Sequence, residues 1–123
     1  RKIVVLADIL ELGEMSEACH REVGAYAAKK NIDCLITIGT EARYIAEQAL
    51  YVLQEAGRRV TTDEGDGNLQ KNGIQVLTCE SREEALAEGL SGLQTGDVIY
   101  LKGSHGMRLD LLAQQLREQY ANM

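Results

Sequence analysis

The amino-acid sequence predicts an α/β fold: a Rossmann-like open sheet of mainly parallel strands with helices on both faces. Three observations carry that prediction. The apolar pattern switches repeatedly between a short continuous run and a spacing near 3.6 residues, as strands buried on both faces alternate with amphipathic crossover helices. Turn-forming glycines fall at the switches, and no proline interrupts an element. At 123 residues, 45% hydrophobic and 26% charged, the chain can build one core but not two with a cleft between them.

The first strand spans residues 3–7, whose unbroken apolar run suits a central parallel strand. A helix over residues 16–30 follows, with Cys19, Val23, Tyr26 and Ala27 directed inward and Gly24 read as a point of close packing. Residues 34–38 form the second strand. Gly39 turns the chain, Thr40 is placed to cap the next helix, and Ile45, Ala49, Val52, Leu53 and Ala56 keep helical spacing until Gly57 ends it. Residues 58–73 have no sustained period and read as a long solvated excursion. Its Asp63, Glu64 and Asp66 lack the order of acids, glycine and closing glutamate that an EF-hand needs.

The third strand covers residues 74–78, after which Ser81 and Glu84 form a capping box for a helix running through Leu86, Leu90 and Leu93. Gly96 and Asp97 turn the chain into the fourth strand, residues 98–101. The closing helix carries Leu109, Leu112, Leu116 and Tyr120 on one stripe.

Right-handed crossovers make 3-2-1-4 the natural order of four such strands, so the winding reverses between the first and fourth. Ligands bind at such reversals, beside the carboxyl ends of the strands. Two loops meet there: residues 8–14 and residues 102–106. Across that edge Asp8, Glu11 and Glu14 face Lys102, His105 and, just beyond the second loop, Arg108, which predicts an ion-paired lip able to hold a zwitterion or dock a neighbouring domain. Gly13, Gly103 and Gly106 set the loop geometry and let backbone approach a bound group. His20, one turn into the first helix, either points back at this edge or is an ordinary packed or surface histidine.

Other chemistries are absent. A net charge of −6 argues against nucleic acid, whose binders need a basic face. No run nears the ~20 apolar residues of a membrane span, and Asp8 ends the first apolar stretch too early for a secretory signal, so a cytoplasmic location is expected. Cys19, Cys34 and Cys79 are odd in number and lie in apolar patterns, as reduced thiols do. With two histidines and no C-x-x-C pair, no metal site is expected. Neither G-x-x-x-x-G-K-[ST] nor a G-x-G-x-x-G after the first strand occurs. Ser104 and His105 are adjacent and do not make a nucleophile–base pair easily, so no catalytic residue is assigned.

Residues 2–14 read Lys-Ile-Val-Val-Leu-Ala-Asp-Ile-Leu-Glu-Leu-Gly-Glu, followed by Ser16, His20, Val23 and Gly24. They resemble the opening of the C-terminal domain of the Mur ligase family, a pattern close to G-D-M-x-E-L-G and then H-x-x-V-G. Lys102-Gly103-Ser104-His105-Gly106-Met107 resembles that domain's closing K-G-S-[RH] loop and its following Met. The resemblance runs from Lys2 to about Leu116. Ala7 stands where Gly is usual and Ile9 where Met is usual, and residues 58–73 look like an insertion.

The resemblance implies an ATP-dependent, amide-forming ligase of cytoplasmic peptidoglycan precursor synthesis, in the branch that adds D-alanyl-D-alanine to UDP-MurNAc-tripeptide. It implies that residues 1–123 are the single C-terminal domain of a three-domain enzyme; the missing initiator Met fits a piece of a longer protein. ATP and Mg2+ would be bound mainly by a central domain absent here, over which this domain closes; alone it would be inactive. On this reading Lys102, Ser104 and His105 line the dipeptide side, with Asp8 and Glu11 bracing the loop or receiving the amine. Two rivals stand beside it. A receiver module needs paired acids after the first strand and an Asp after the third, where this chain has Asp8-Ile9 and Cys79-Glu80. A protein-interaction module would show an exposed apolar patch rather than a charged lip.

Overall fold

The computed structural model describes residues 1–62 and 73–120. Its sheet has five strands, all parallel: β1 (Lys2–Ala7), β2 (Cys34–Ile38), β3 (Arg59–Thr61), β4 (Gly73–Cys79) and β5 (Val98–Lys102). Their order is β3-β4-β2-β1-β5. The four strands read from the sequence thus occur in the expected 3-2-1-4 order, with the reversal between β1 and β5. A fifth strand joins at the far edge. β3 lies within the excursion expected to be a solvated loop; it has three residues and no apolar run, and it forms because β4 offers it an open edge. The acidic residues Asp63, Glu64 and Asp66 lie outside the described residues.

Four helices cover the sheet: α1 (Ser16–Ala28), α2 (Arg43–Glu55), α3 (Arg82–Ala87) and α4 (Leu109–Gln119). Alternation along the strands sends Ile3, Val5 and Ala7 of β1, with Cys34, Ile36 and Ile38 of β2, into one core with Leu112 and Leu116. Leu35, Ile74 and Val76 face the other way, against Ile45, Ala46, Ala49 and Leu53 of α2. β2 is buried at all five positions, as a central parallel strand must be. Cys19, Cys34 and Cys79 form no disulfide, and burial pushes the Cys34 thiol up to about 12.

Three local expectations need correction. The inward stripe of α1 is His20, Gly24, Ala27 and Ala28, whereas Tyr26 is 64% exposed and Cys19 and Val23 are only half-buried. Small residues face α2 because the two helices nearly touch: a Cβ on Gly24 would collide with the Ile45 carbonyl. Close packing at Gly24 is therefore as expected. α3 ends at Ala87, short of Leu90 and Leu93. Leu90 is still fully buried, carried there by a turn in which Gly89 lies so near Ile36 that a Cβ would sit 2.6 Å from Ile36 Cδ1. Finally, Thr40 does not cap α2. Asp8 does, from the end of β1.

Candidate functional site

The register sets Leu6 of β1 beside Lys102 of β5 and Ala7 beside Ile38 of β2, so the loops after β1 and β5 leave the sheet side by side. Asp8, the first residue beyond β1, is 8% exposed. Its Oδ1 accepts the Ala42 amide at 2.6 Å, placing a carboxylate at the positive end of α2, where such a cap is worth ~1 kcal/mol. Gly39, at φ +117, is the residue that leaves room for it: any Cβ there would overlap the Asp8 carboxylate. Asp8 therefore braces the edge and is turned away from the basic loop.

Ser104 stitches the two loops together. Its amide donates to the Asp8 carbonyl at 3.1 Å, and its Oγ accepts the Leu10 amide at 2.7 Å. Gly103 sits so tightly on β1 that a Cβ would lie 2.8 Å from the Ala7 Cβ, and one on Gly106 would meet Leu10 Cδ1 at 3.0 Å. The backbone approach read from these glycines is thus toward the neighbouring loop. Gly13, at φ +57, opens a 3-10 turn over Gly13–Met15.

Sequence reasoning left His20 undecided, and the structure makes it central. The ring is fully buried, and its Nε2 accepts the Ile9 amide at 3.0 Å. Nδ1 lies 2.7 Å from the Ser16 carbonyl. A backbone N–H can only donate and a carbonyl can only accept, so the ring is the neutral tautomer with its proton on Nδ1. Ser16 Oγ in turn donates to Glu41 Oε2 at 3.0 Å. The H-x-x-V-G spacing was the available signal, because His20 and Gly24 fall one helical turn apart on the buried stripe of α1.

The ion-paired lip does not form among the described residues. Arg108, in the left-handed region at φ 53, places Nε and Nη2 each 3.0 Å from Asp110. That hydrogen-bonded fork holds the Asp110 carboxyl down at about 2 and raises Arg108. Glu11, left-handed at φ 65, and Glu14 are exposed. Lys102 and His105 are exposed too, with no side-chain hydrogen bond or ion pair among the described residues. Below them lies an apolar cavity of about 270 Å³ walled by Leu6, Ala7, Ile9, Val23 and Ile45, with Lys102 at its rim.

The edge can therefore present a cation, an imidazole and a carboxylate to an incoming group, on loops already fixed to each other. Cys79, Glu84 and Glu88 could bring one ligand atom each within 4.8 Å of one another, but the Glu84 carboxylate already accepts the Glu80 amide at 2.9 Å. No helix among the described residues is long and apolar enough to cross a membrane.

A parallel sheet with fixed loops at its strand-order reversal defines the chain as a Rossmann-like α/β domain with its candidate site at the carboxyl edge. Residues 1–105 match the family described as Mur ligase, glutamate ligase domain, and the chain belongs to that family. It is 30% identical over 118 residues to the UDP-N-acetylmuramoyl-tripeptide–D-alanyl-D-alanine ligase of Bacillus subtilis, covering 96% of this chain and 22% of the relative. The enzyme of the same name from Haemophilus influenzae is 44% identical over 46 residues, covering 37% of this chain and 10% of the relative. A crystal structure of MurF from Acinetobacter baumannii shares the fold, with a TM-score of 0.69 at 22% identity over 95% of this chain and 22% of that one. The chain spans about a fifth of the length of the relatives it matches over most of its own length.

Proposed function

We propose that residues 1–123 are the C-terminal domain of a three-domain ligase that forms an amide between D-alanyl-D-alanine and UDP-MurNAc-tripeptide in the cytoplasm. The observation that carries this reading is the carboxyl edge itself. Asp8, Ser104 and His20 hold two loops rigid through backbone bonds, and Lys102, His105 and Glu11 stand at their rim without partners among the described residues. Such a surface supports the closing of this domain on another one that holds the reacting groups.

In this reading the Lys102 ammonium faces the dipeptide carboxylate, His105 lines the same side, and Glu11 receives the dipeptide amine. Asp8 and Ser104 brace the loops and do not touch substrate. The described ligand cluster does not fit Mg2+. Mg2+ prefers an all-oxygen octahedral set, whereas Asp8 already serves as a cap and the described ligand cluster contains a buried thiol. On this reading the nucleotide and metal are held mainly by a central domain outside this chain.

The test is Lys102→Ala in the full-length protein. The expected result is a KM for D-alanyl-D-alanine raised by about tenfold or more, as loss of a charge-assisted contact gives. Unchanged KM and kcat would overturn the assignment of Lys102.

A further inference from the structure

We infer that His20 is the positioning residue of this edge: its ring ties Ile9 to α1 and, through the Leu10–Ser104 bond, sets where Lys102 and His105 stand. The catalytic consequence rests on the reading above; the structural linkage does not.

After β1 the chain leaves the ladder, so the amides of Ile9 and Leu10 need acceptors from elsewhere. Ile9 finds His20 Nε2 at 3.0 Å, and Leu10 finds Ser104 Oγ at 2.7 Å. One residue earlier, the Asp8 carbonyl accepts the Ser104 amide at 3.1 Å. Consecutive residues 8, 9 and 10 are thus bonded alternately to the β5 loop and to α1, and the middle bond is the imidazole's. The ring cannot swing away cheaply, because its Nδ1 proton is held by Ser16 at 2.7 Å and the whole side chain is buried.

The groups around it fix the same state. Ser16 Oγ, 3.3 Å from Nδ1, donates onward to Glu41, and Asp8 is occupied at Ala42. The network runs from the α1–α2 side to the loop of β5 without using Lys102, His105 or Glu11. Losing the ring's acceptor leaves the Ile9 amide unsatisfied and frees residues 9–14, and with them the Ser104 anchor of residues 102–107.

The test uses the full-length parent protein and three variants. His20→Phe keeps ring volume and loses both hydrogen bonds. His20→Asn can retain a donor near the Ser16 carbonyl but ends short of Ile9. His20→Gln can return an acceptor to the Ile9 amide. Amide hydrogen exchange and steady-state kinetics are read on each. The Phe and Asn variants are expected to exchange faster by about tenfold over residues 9–14 and 102–107, and to raise the dipeptide KM by about fivefold to tenfold with kcat within about twofold. His20→Gln restores both toward wild type. If His20→Phe fails to fold, the Asn and Gln pair decides alone. Equal losses in Asn and Gln, or unchanged exchange over 102–107 in the Asn variant, would overturn the inference. Absence of dipeptide-dependent turnover in the wild-type protein would instead count against the proposed function, leaving the exchange result to judge His20.

Discussion

The two ends of the sheet differ in which polar groups they leave without a partner. At the amino end, charges pair with each other: Arg1 places Nη2 2.8 Å from Asp97 and also donates to the Gly92 carbonyl, while Asp33 accepts the Lys2 amide at 2.8 Å. At the carboxyl end Arg108 pairs with Asp110 and Arg43 with Glu80, but Asp8, Ser104 and His20 each accept a backbone amide, and Lys102 and Glu11 remain exposed without a partner among the described residues. An edge that satisfies its own charges is a closed end of the fold. One that uses Asp8, Ser104 and His20 on the backbone has a fixed shape and leaves Lys102 and Glu11 for something else.

Breaking the bracing at the carboxyl end should cost most. Asp8→Ala removes the cap of α2 and the group that Gly39 accommodates, and should lower the stability measured by urea unfolding by about 2 kcal/mol. The amino end should respond to pH instead. The Arg1 hydrogen bond holds Asp97 down at about 2, below its ordinary 3.8, so this pair's contribution is complete above about pH 4 and disappears as pH falls toward 2. Asp97→Asn should remove about 1 kcal/mol at neutral pH and flatten that acid limb, read from unfolding midpoints between pH 2 and 5.

Between the ends, Thr37 Oγ1 is buried without a hydrogen-bond partner among the described residues. Thr37→Val should therefore raise the thermal midpoint, with a gain of about 1 kcal/mol. The smallest effect on stability belongs to the rim. Lys102→Ala should stay within about 0.5 kcal/mol of wild type by the same unfolding measurement, because its ammonium holds nothing in the fold.

Much of the architecture was legible because it rests on periodicity. β2 was bounded correctly from four apolar residues interrupted only by Thr37, and the order of the four long strands followed from crossover handedness. β3 was missed because Arg59–Thr61 has no pattern of its own; its strand character comes from β4. Tyr26 was turned the wrong way because the stripe facing α2 is made of small residues, which an apolar-spacing rule undervalues. The site was legible by place and not by role. Asp8 and Ala42 are 34 residues apart, so no local window shows that one caps the helix of the other. The expected lip failed because Asp8 is taken by that tertiary contact, while Arg108 pairs locally with Asp110, two residues on. The capping box was nearly right: Ser81 Oγ accepts the Glu84 amide, but Glu84 reaches back to the amide of Glu80, one residue further than expected.

The most direct test of the central claim is phosphate release from ATP by the full-length parent protein with UDP-MurNAc-tripeptide, with and without D-alanyl-D-alanine, beside the same protein lacking these 123 residues. Dipeptide-dependent release that disappears on deletion is the predicted result. Release that is indifferent to the dipeptide, or that survives the deletion, would contradict the account and assign the domain to another amino-acid ligase activity or to binding alone.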